Sequence, residues 1–199
     1  MLLLYATRDG QSRRIAEHIA AWLAASEITV RPQDLACAVP APADLAAAGL
    51  VVVVAAVRYG RHLPQAERFF SVLGAVPTRV QLVLLSVNLT ARKPGKDTEA
   101  GNPYLRKAIA RHRLEPVLAA AVAGRLDYKR CGWLDKQMIR LIMRMTGGPT
   151  DPQTCIEFTV WKQVDEIARR IARLHAAAAG RSPREIATRA DPGGTAAGQ

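Results

Sequence analysis

Five apolar runs of strand length punctuate this chain, and most are followed by a segment with helical spacing. Leu2 to Ala6 is the first, and Arg13 to Ala25 behind it carries Ile15, Ala16, Ile19, Ala20 and Leu23 on one helical face. Ile28-Thr29-Val30 predicts a short second strand, with a loop from Pro32 to Pro42 and a helical turn at Asp44 to Ala48, closed by Gly49. Leu50 to Val57 is an unbroken β-branched run, the pattern of a central parallel strand buried on both faces. A helix over about Gln65 to Leu73 leads to a strand at Val80 to Val87. A further helix over Asn102 to about Arg113 leads to the last strand, Val117 to Ala123. Strands alternating with helices predict an α/β fold with a doubly wound, five-stranded parallel sheet.

Ligands of such sheets bind beyond the carboxyl ends of the strands. The loops at 7–12, 58–62, 86–93 and 124–130 are expected to converge there. They bring Arg8, Arg58, Arg61, Arg92, Lys93, Arg125, Lys129 and Arg130 to one edge. The first loop, Thr7-Arg8-Asp9-Gly10-Gln11-Ser12, lies between a strand and a helix N-terminus, where free N–H groups and the helix dipole favour an anion. Gly10 permits close backbone approach, and Thr7 and Ser12 add hydroxyls. The loop fits neither the G-x-G-x-x-G dinucleotide pattern nor the G-x-x-x-x-G-K-[ST] phosphate loop. It resembles the flavodoxin loop that holds the FMN phosphate. It also reads as an ordinary βα turn in which Ser or Asp caps the helix.

The 199 residues suit one domain with a substantial core, and 49% are hydrophobic. No run approaches the roughly 18 apolar residues of a membrane span. No basic leader precedes the first strand, so a secretory signal is not expected. Cys37, Cys131 and Cys155 are odd in number and lack C-x-x-C spacing, which points to a reduced, cytoplasmic protein without disulfides or zinc. The net charge of +11 calls for an acidic partner: nucleic acid, anionic lipid or a carboxylate-rich ligand. Only 5% of residues are aromatic, so the basic positions lack the stacking partners of a nucleic-acid surface.

After Gly124 comes an insertion over about 125–158, ahead of a C-terminal helix from about Thr159 to Ala179. Within it, Trp133 to Met145 predicts a helix ended by Gly147-Gly148-Pro149. At about 100° per residue, Leu134, Met138, Leu141, Ile142 and Met145 share one face, while Lys136, Arg140 and Arg144 form a basic stripe. An apolar face bordered by cations, with Trp133 at one end, suits a helix lying in an anionic membrane surface. The same pattern also suits a helix packed on the core with a solvated basic stripe. Beyond Gly180 the composition turns to Arg, Ser, Pro, Gly and Ala, and the tail at 179–199 is expected to be disordered.

From about Leu2 to Leu174 the chain resembles the menaquinone-dependent protoporphyrinogen oxidases, flavodoxin-like enzymes of bacterial haem (porphyrin) biosynthesis. The resemblance is carried by ATRDGQSRRIA, VRYGRHLP, LSVNLTARKPGK and WLDKQMIRLIMRMTGGPTD. It implies a flavodoxin-like domain over 1–178 and FMN as cofactor. The phosphate is then expected over Arg8, Asp9, Gly10, Gln11 and Ser12, with Thr7 at the loop entrance. Asp9 stands where flavodoxins commonly have a hydroxyl residue. A carboxylate beside a phosphate repels it, so Asp9 is expected to cap the helix or pair with a basic neighbour. The flavin ring is expected between Arg58–His62, with Gly60 in the turn and Tyr59 stacking near it, and Ser86, Val87, Asn88, Leu89, Thr90, Ala91 and Arg92.

The implied reaction removes six electrons and six protons from protoporphyrinogen IX, with menaquinone or ubiquinone as acceptor and the flavin carrying the hydride chemistry. Arg58, Arg61, Arg92, Lys93 and Arg125 are candidates for the substrate propionates. The implied location is peripheral, on the cytoplasmic face of the bacterial inner membrane. Flavin quinone reductases often pair, so a homodimer is compatible with the resemblance. No acid–base constellation stands out. His62 reads as a surface histidine, or as a proton carrier near neutral pH. The alternative on the same fold is a flavodoxin-like electron carrier or a general NAD(P)H:quinone reductase, and fold alone does not separate these.

Overall fold

The run Leu50–Ala55 is buried and forms the centre of the sheet. In this computed structural model, which describes residues 1–75, 80–127, 155–178 and 180, it belongs to β3 (Leu50–Arg58). β3 pairs in parallel with β1 (Leu2–Ala6) on one side and β5 (Gln81–Val87) on the other. Successive side chains point to opposite faces of a strand. Leu50, Val52 and Val54 therefore join the core under α1 (Gln11–Ala25) and the C-terminal helix α5 (Trp161–Ala178), with Ile15, Ile19, Leu23, Ile167 and Ile171. Val51, Val53 and Ala55 meet Leu45 of α2 (Pro42–Ala47), Phe69 and Phe70 of α3 (Pro64–Ala75), and Leu105 of α4 (Pro103–His112).

The parallel order is β2-β1-β3-β5-β6, with β2 at Pro32–Asp34 and β6 at Pro116–Val122. The sheet has the expected five parallel strands, four of them where the sequence placed them. The chain runs outward from β1 to β2, then crosses back to β3, so the order reverses between β1 and β3. Ala6 pairs with Ala55, Ala56 with Val87, and Val87 with Val122. The carboxyl ends of four strands thus align, and their loops meet at one edge.

Three elements differ from the sequence reading. The second strand is Pro32–Asp34, within the segment read as a loop, rather than Ile28–Val30. Ile28 is instead used to close α1: its N–H bonds Leu23 O at 2.9 Å and its side chain is buried in the core. The chain comes into register with β1 only at Pro32, opposite Leu3. Proline is tolerated there because it begins an edge strand. Arg61–His62, read as loop, is β4, which folds back antiparallel on β3. Finally, Arg125–Asp127 (β7) and Cys155–Glu157 (β8) form a two-stranded antiparallel ladder at the base of the insertion. The predicted helix Trp133–Met145, with Lys136, Met138, Arg140, Leu141, Ile142, Arg144 and Met145, lies outside the described residues. So do Lys129, Arg130 and all of the tail except Gly180.

Candidate functional site

The loop after β1 is built to leave donors open. Gly10 is the N-cap of α1, with φ of 88°, and no side chain caps the helix. The capping role expected of Ser or Asp in an ordinary turn is therefore not filled. A Cβ built on Gly10 meets nothing within 4 Å, so the face above the turn is open. Thr7 Oγ1 accepts the Gly10 N–H at 2.9 Å and closes the loop from within. Ser12 is buried, and its Oγ has no hydrogen-bond partner. A buried hydroxyl left unpaired costs about 1–3 kcal/mol. Together with an uncapped helix N-terminus, it forms a donor set that fits a phosphate. Asp9 turns aside, as its charge requires: Oδ2 lies 3.4 Å from Arg58 Nη1. Arg8 is exposed.

The second loop is a two-residue hairpin. Tyr59 and Gly60 both have positive φ, at 51° and 78°, the requirement of a type I′ turn. Tyr59 is 62% exposed and the Arg58 guanidinium lies 5.3 Å from its ring centre. A large aromatic side chain thus stands out from the sheet edge. Arg58 and Arg61 face each other across the ladder, an arrangement of like charges that the Asp9 carboxylate beside Arg58 offsets in part. Tyr104 of α4 packs beneath the turn, 3.9 Å from the Cβ position of Gly60.

His62 differs from its sequence reading. It is 4% exposed, not a surface residue, with Nε2 2.9 Å from Ser86 Oγ. Its ring packs edge-on to Phe70. Burial lowers its pKa; Glu67 opposes that shift, while His112 and Arg111 add to it, leaving it at about 4. His62 is neutral near physiological pH. Behind it Glu67 accepts hydrogen bonds from Arg111 at 3.1 Å and pairs with His112 at 3.1 Å. Burial pushes Glu67 upward, but those partners outweigh it and hold the carboxyl below its usual value.

In the third loop the side chains of Ser86, Val87, Asn88 and Ala91 are buried and build the loop instead of lining it. Asn88 Oδ1 accepts from Ala91 N at 3.1 Å and from Asn102 Nδ2 at 3.2 Å, while its Nδ2 donates to Ser86 Oγ at 3.1 Å. These bonds shape the 3₁₀ turn Leu89–Arg92. Leu89, Thr90, Arg92 and Lys93 are half-buried at its surface. Arg92 donates to Leu89 O at 2.9 Å and stacks over Phe158, 5.6 Å from the ring centre.

Two residues take different roles from those expected. Gln11 is buried and turns its amide away from the loop: Nε2 donates to Thr159 Oγ1 at 2.8 Å and to Glu157 Oε1 at 3.0 Å. Only its backbone remains for a ligand. Arg125, exposed on β7, stands opposite Glu157 on β8. Burial raises the Glu157 pKa, but hydrogen bonds from Arg14 and Gln11 and the charges of Arg14 and Arg125 hold it below its usual value. Glu157 and Thr159 gave no local signal in the sequence, because Gln11 lies more than a hundred residues away.

A family model described as a flavodoxin domain matches residues 2–153. The chain is 36% identical over 173 residues to the protoporphyrinogen IX dehydrogenase (quinone) of Escherichia coli strain K12, covering 87% of this chain and 94% of that protein. It is 35% identical over 177 residues to the protein of the same name from Leishmania major, covering 87% of this chain and 74% of that one. Among solved structures it is similar to the rubredoxin oxygen:oxidoreductase of Desulfovibrio gigas, with a TM-score of 0.53 and 14% identity. That match covers 89% of this chain and only 36% of that enzyme, and it speaks for the fold alone.

Proposed function

As the chain belongs to the flavodoxin-domain protoporphyrinogen IX dehydrogenase (quinone) family, and is an oxidoreductase, we propose that it binds FMN and oxidises protoporphyrinogen IX to protoporphyrin IX in haem biosynthesis. The acceptor is a quinone dissolved in a membrane. The observation that carries this reading is the unpaired, buried hydroxyl of Ser12 beside an uncapped helix N-terminus. The FMN phosphate supplies the missing acceptor.

When bound, FMN supplies the two-electron redox chemistry. The chain supplies placement. The backbone N–H groups at the start of α1, with Ser12 Oγ, hold the phosphate. Thr7 keeps the loop closed, and the Asp9–Arg58 pair ties it to the hairpin. Tyr59 and the turn at Leu89–Arg92 would hold the ring. Arg58 and Arg61, facing each other, and Arg92 and Lys93 across the edge, attract the propionates and orient the tetrapyrrole. His62 stays neutral and braces Ser86. The sequence stripe Lys136, Arg140 and Arg144 beside an apolar face supports work at an anionic membrane surface, where the quinone is reached. No helix among the described residues is long and apolar enough to cross a membrane.

The test is a visible spectrum of the purified protein with added FMN, followed by anaerobic addition of protoporphyrinogen IX and then a quinone. Bleaching followed by recovery supports the reading. Bound FMN that does not bleach moves the protein to a general quinone reductase or carrier. Absence of FMN binding refutes the reading at its base.

A further inference from the structure

We propose that Gln11 is a positioning residue that couples the phosphate turn to the β7–β8 ladder, so that FMN binding and the order of that ladder strengthen each other. The inference rests on the FMN reading above. The turn that presents the phosphate donors has no side-chain cap of its own. Beyond the internal Thr7–Gly10 bond, its geometry is fixed from outside. The Gln11 amide, 8% exposed, donates at once to Glu157 Oε1 and to Thr159 Oγ1. Thr159 Oγ1 passes the link on, donating to Ala123 O at 2.7 Å at the end of β6. Arg14, one turn along α1, doubles the attachment: it donates to Glu157 Oε2 at 3.0 Å and to Gln11 Oε1 at 3.3 Å.

The clamp thus joins the first turn of α1 to the strand by which the chain returns from residues 128–154. A phosphate on the free N–H groups fixes that turn, and a fixed turn holds Gln11 in the geometry that Glu157 and Thr159 require. Coupling between two binding equilibria is reciprocal. A ladder of only three residues per strand is marginal by itself, so it depends on such external anchoring.

The test uses the full chain, with FMN affinity read by quenching of flavin fluorescence and hydrogen exchange followed at the backbone amides of 125–127 and 155–157. In the wild type, FMN is expected to slow exchange at those amides. In Gln11→Ala, FMN affinity falls roughly tenfold, within the usual range of a coupling free energy between sites, and FMN no longer slows exchange in the ladder. Glu157→Gln, which retains an acceptor for Gln11, keeps most of the coupling and provides a check should Gln11→Ala fold poorly. Gln11→Ala with FMN affinity within about twofold of wild type, or with ladder protection by FMN unchanged, overturns the proposal. Should Gln11→Ala not fold, Glu157→Ala takes its place under the same two criteria. A wild type that binds no FMN refutes the functional reading instead, so the two failures are distinct.

Discussion

Acidification isolates the contribution of the buried His62. Its folded pKa of about 4 lies below the ordinary 6.5 because burial disfavours the imidazolium and His112 and Arg111 repel it, more than Glu67 compensates. Between these two values the unfolded chain takes up a proton that the folded chain refuses. The stability associated with neutral His62 is therefore fully present above 6.5 and declines as pH falls toward about 4. Linkage gives a loss of about 2 kcal/mol by about pH 5, and about 3 kcal/mol over the whole window. Glu67 and Glu157 are both held below their usual value, so their losses begin lower, as pH falls through their folded values. The assay is urea unfolding of the FMN-free chain, followed by far-ultraviolet circular dichroism at about pH 7 and about pH 5. His62→Gln retains an amide able to reach Ser86 but cannot titrate. Wild type is expected to lose about 2 kcal/mol more than His62→Gln between the two conditions. Equal losses in the two proteins would mean that His62 is not held neutral by its surroundings, and the reasoning fails.

Ser12→Ala is expected to move stability and binding in opposite directions. Removing an unpaired buried hydroxyl raises the melting temperature of the FMN-free protein, while FMN affinity, read by fluorescence quenching, falls roughly tenfold to a hundredfold with loss of a charge-assisted bond. Arg61→Gln relieves the like-charge pairing with Arg58, so stability without substrate is expected to hold or rise slightly. Its KM for protoporphyrinogen IX rises roughly tenfold in steady-state assays. Lys136→Ala, Arg140→Ala and Arg144→Ala combined are expected to abolish sedimentation with vesicles containing anionic lipid. They leave weak binding to DNA, measured in parallel, unchanged. Equal losses on both supports would favour non-specific charge over a membrane surface.

The periodicity of apolar residues alone determined the parallel sheet, four of its five strands and the edge at which the loops meet. A central strand such as Leu50–Val57 must be apolar on both faces, and that requirement is written locally. The turn of the first loop was legible for the same reason, since Thr7 and Gly10 act through their own backbone neighbourhood. Tertiary structure decided what depends on partners distant in sequence. Ile28 went to the core beneath α1, which moved the second strand to Pro32–Asp34 where the register with β1 is met. Burial beside Phe70 and Ser86 turned a loop histidine into a neutral brace. Gln11, which stands in the loop after β1 by position, was drawn away by Glu157 and Thr159, residues that only the folded chain brings to it. A side chain's role follows the charge and donors around it, and those are assembled by contacts the linear chain does not contain.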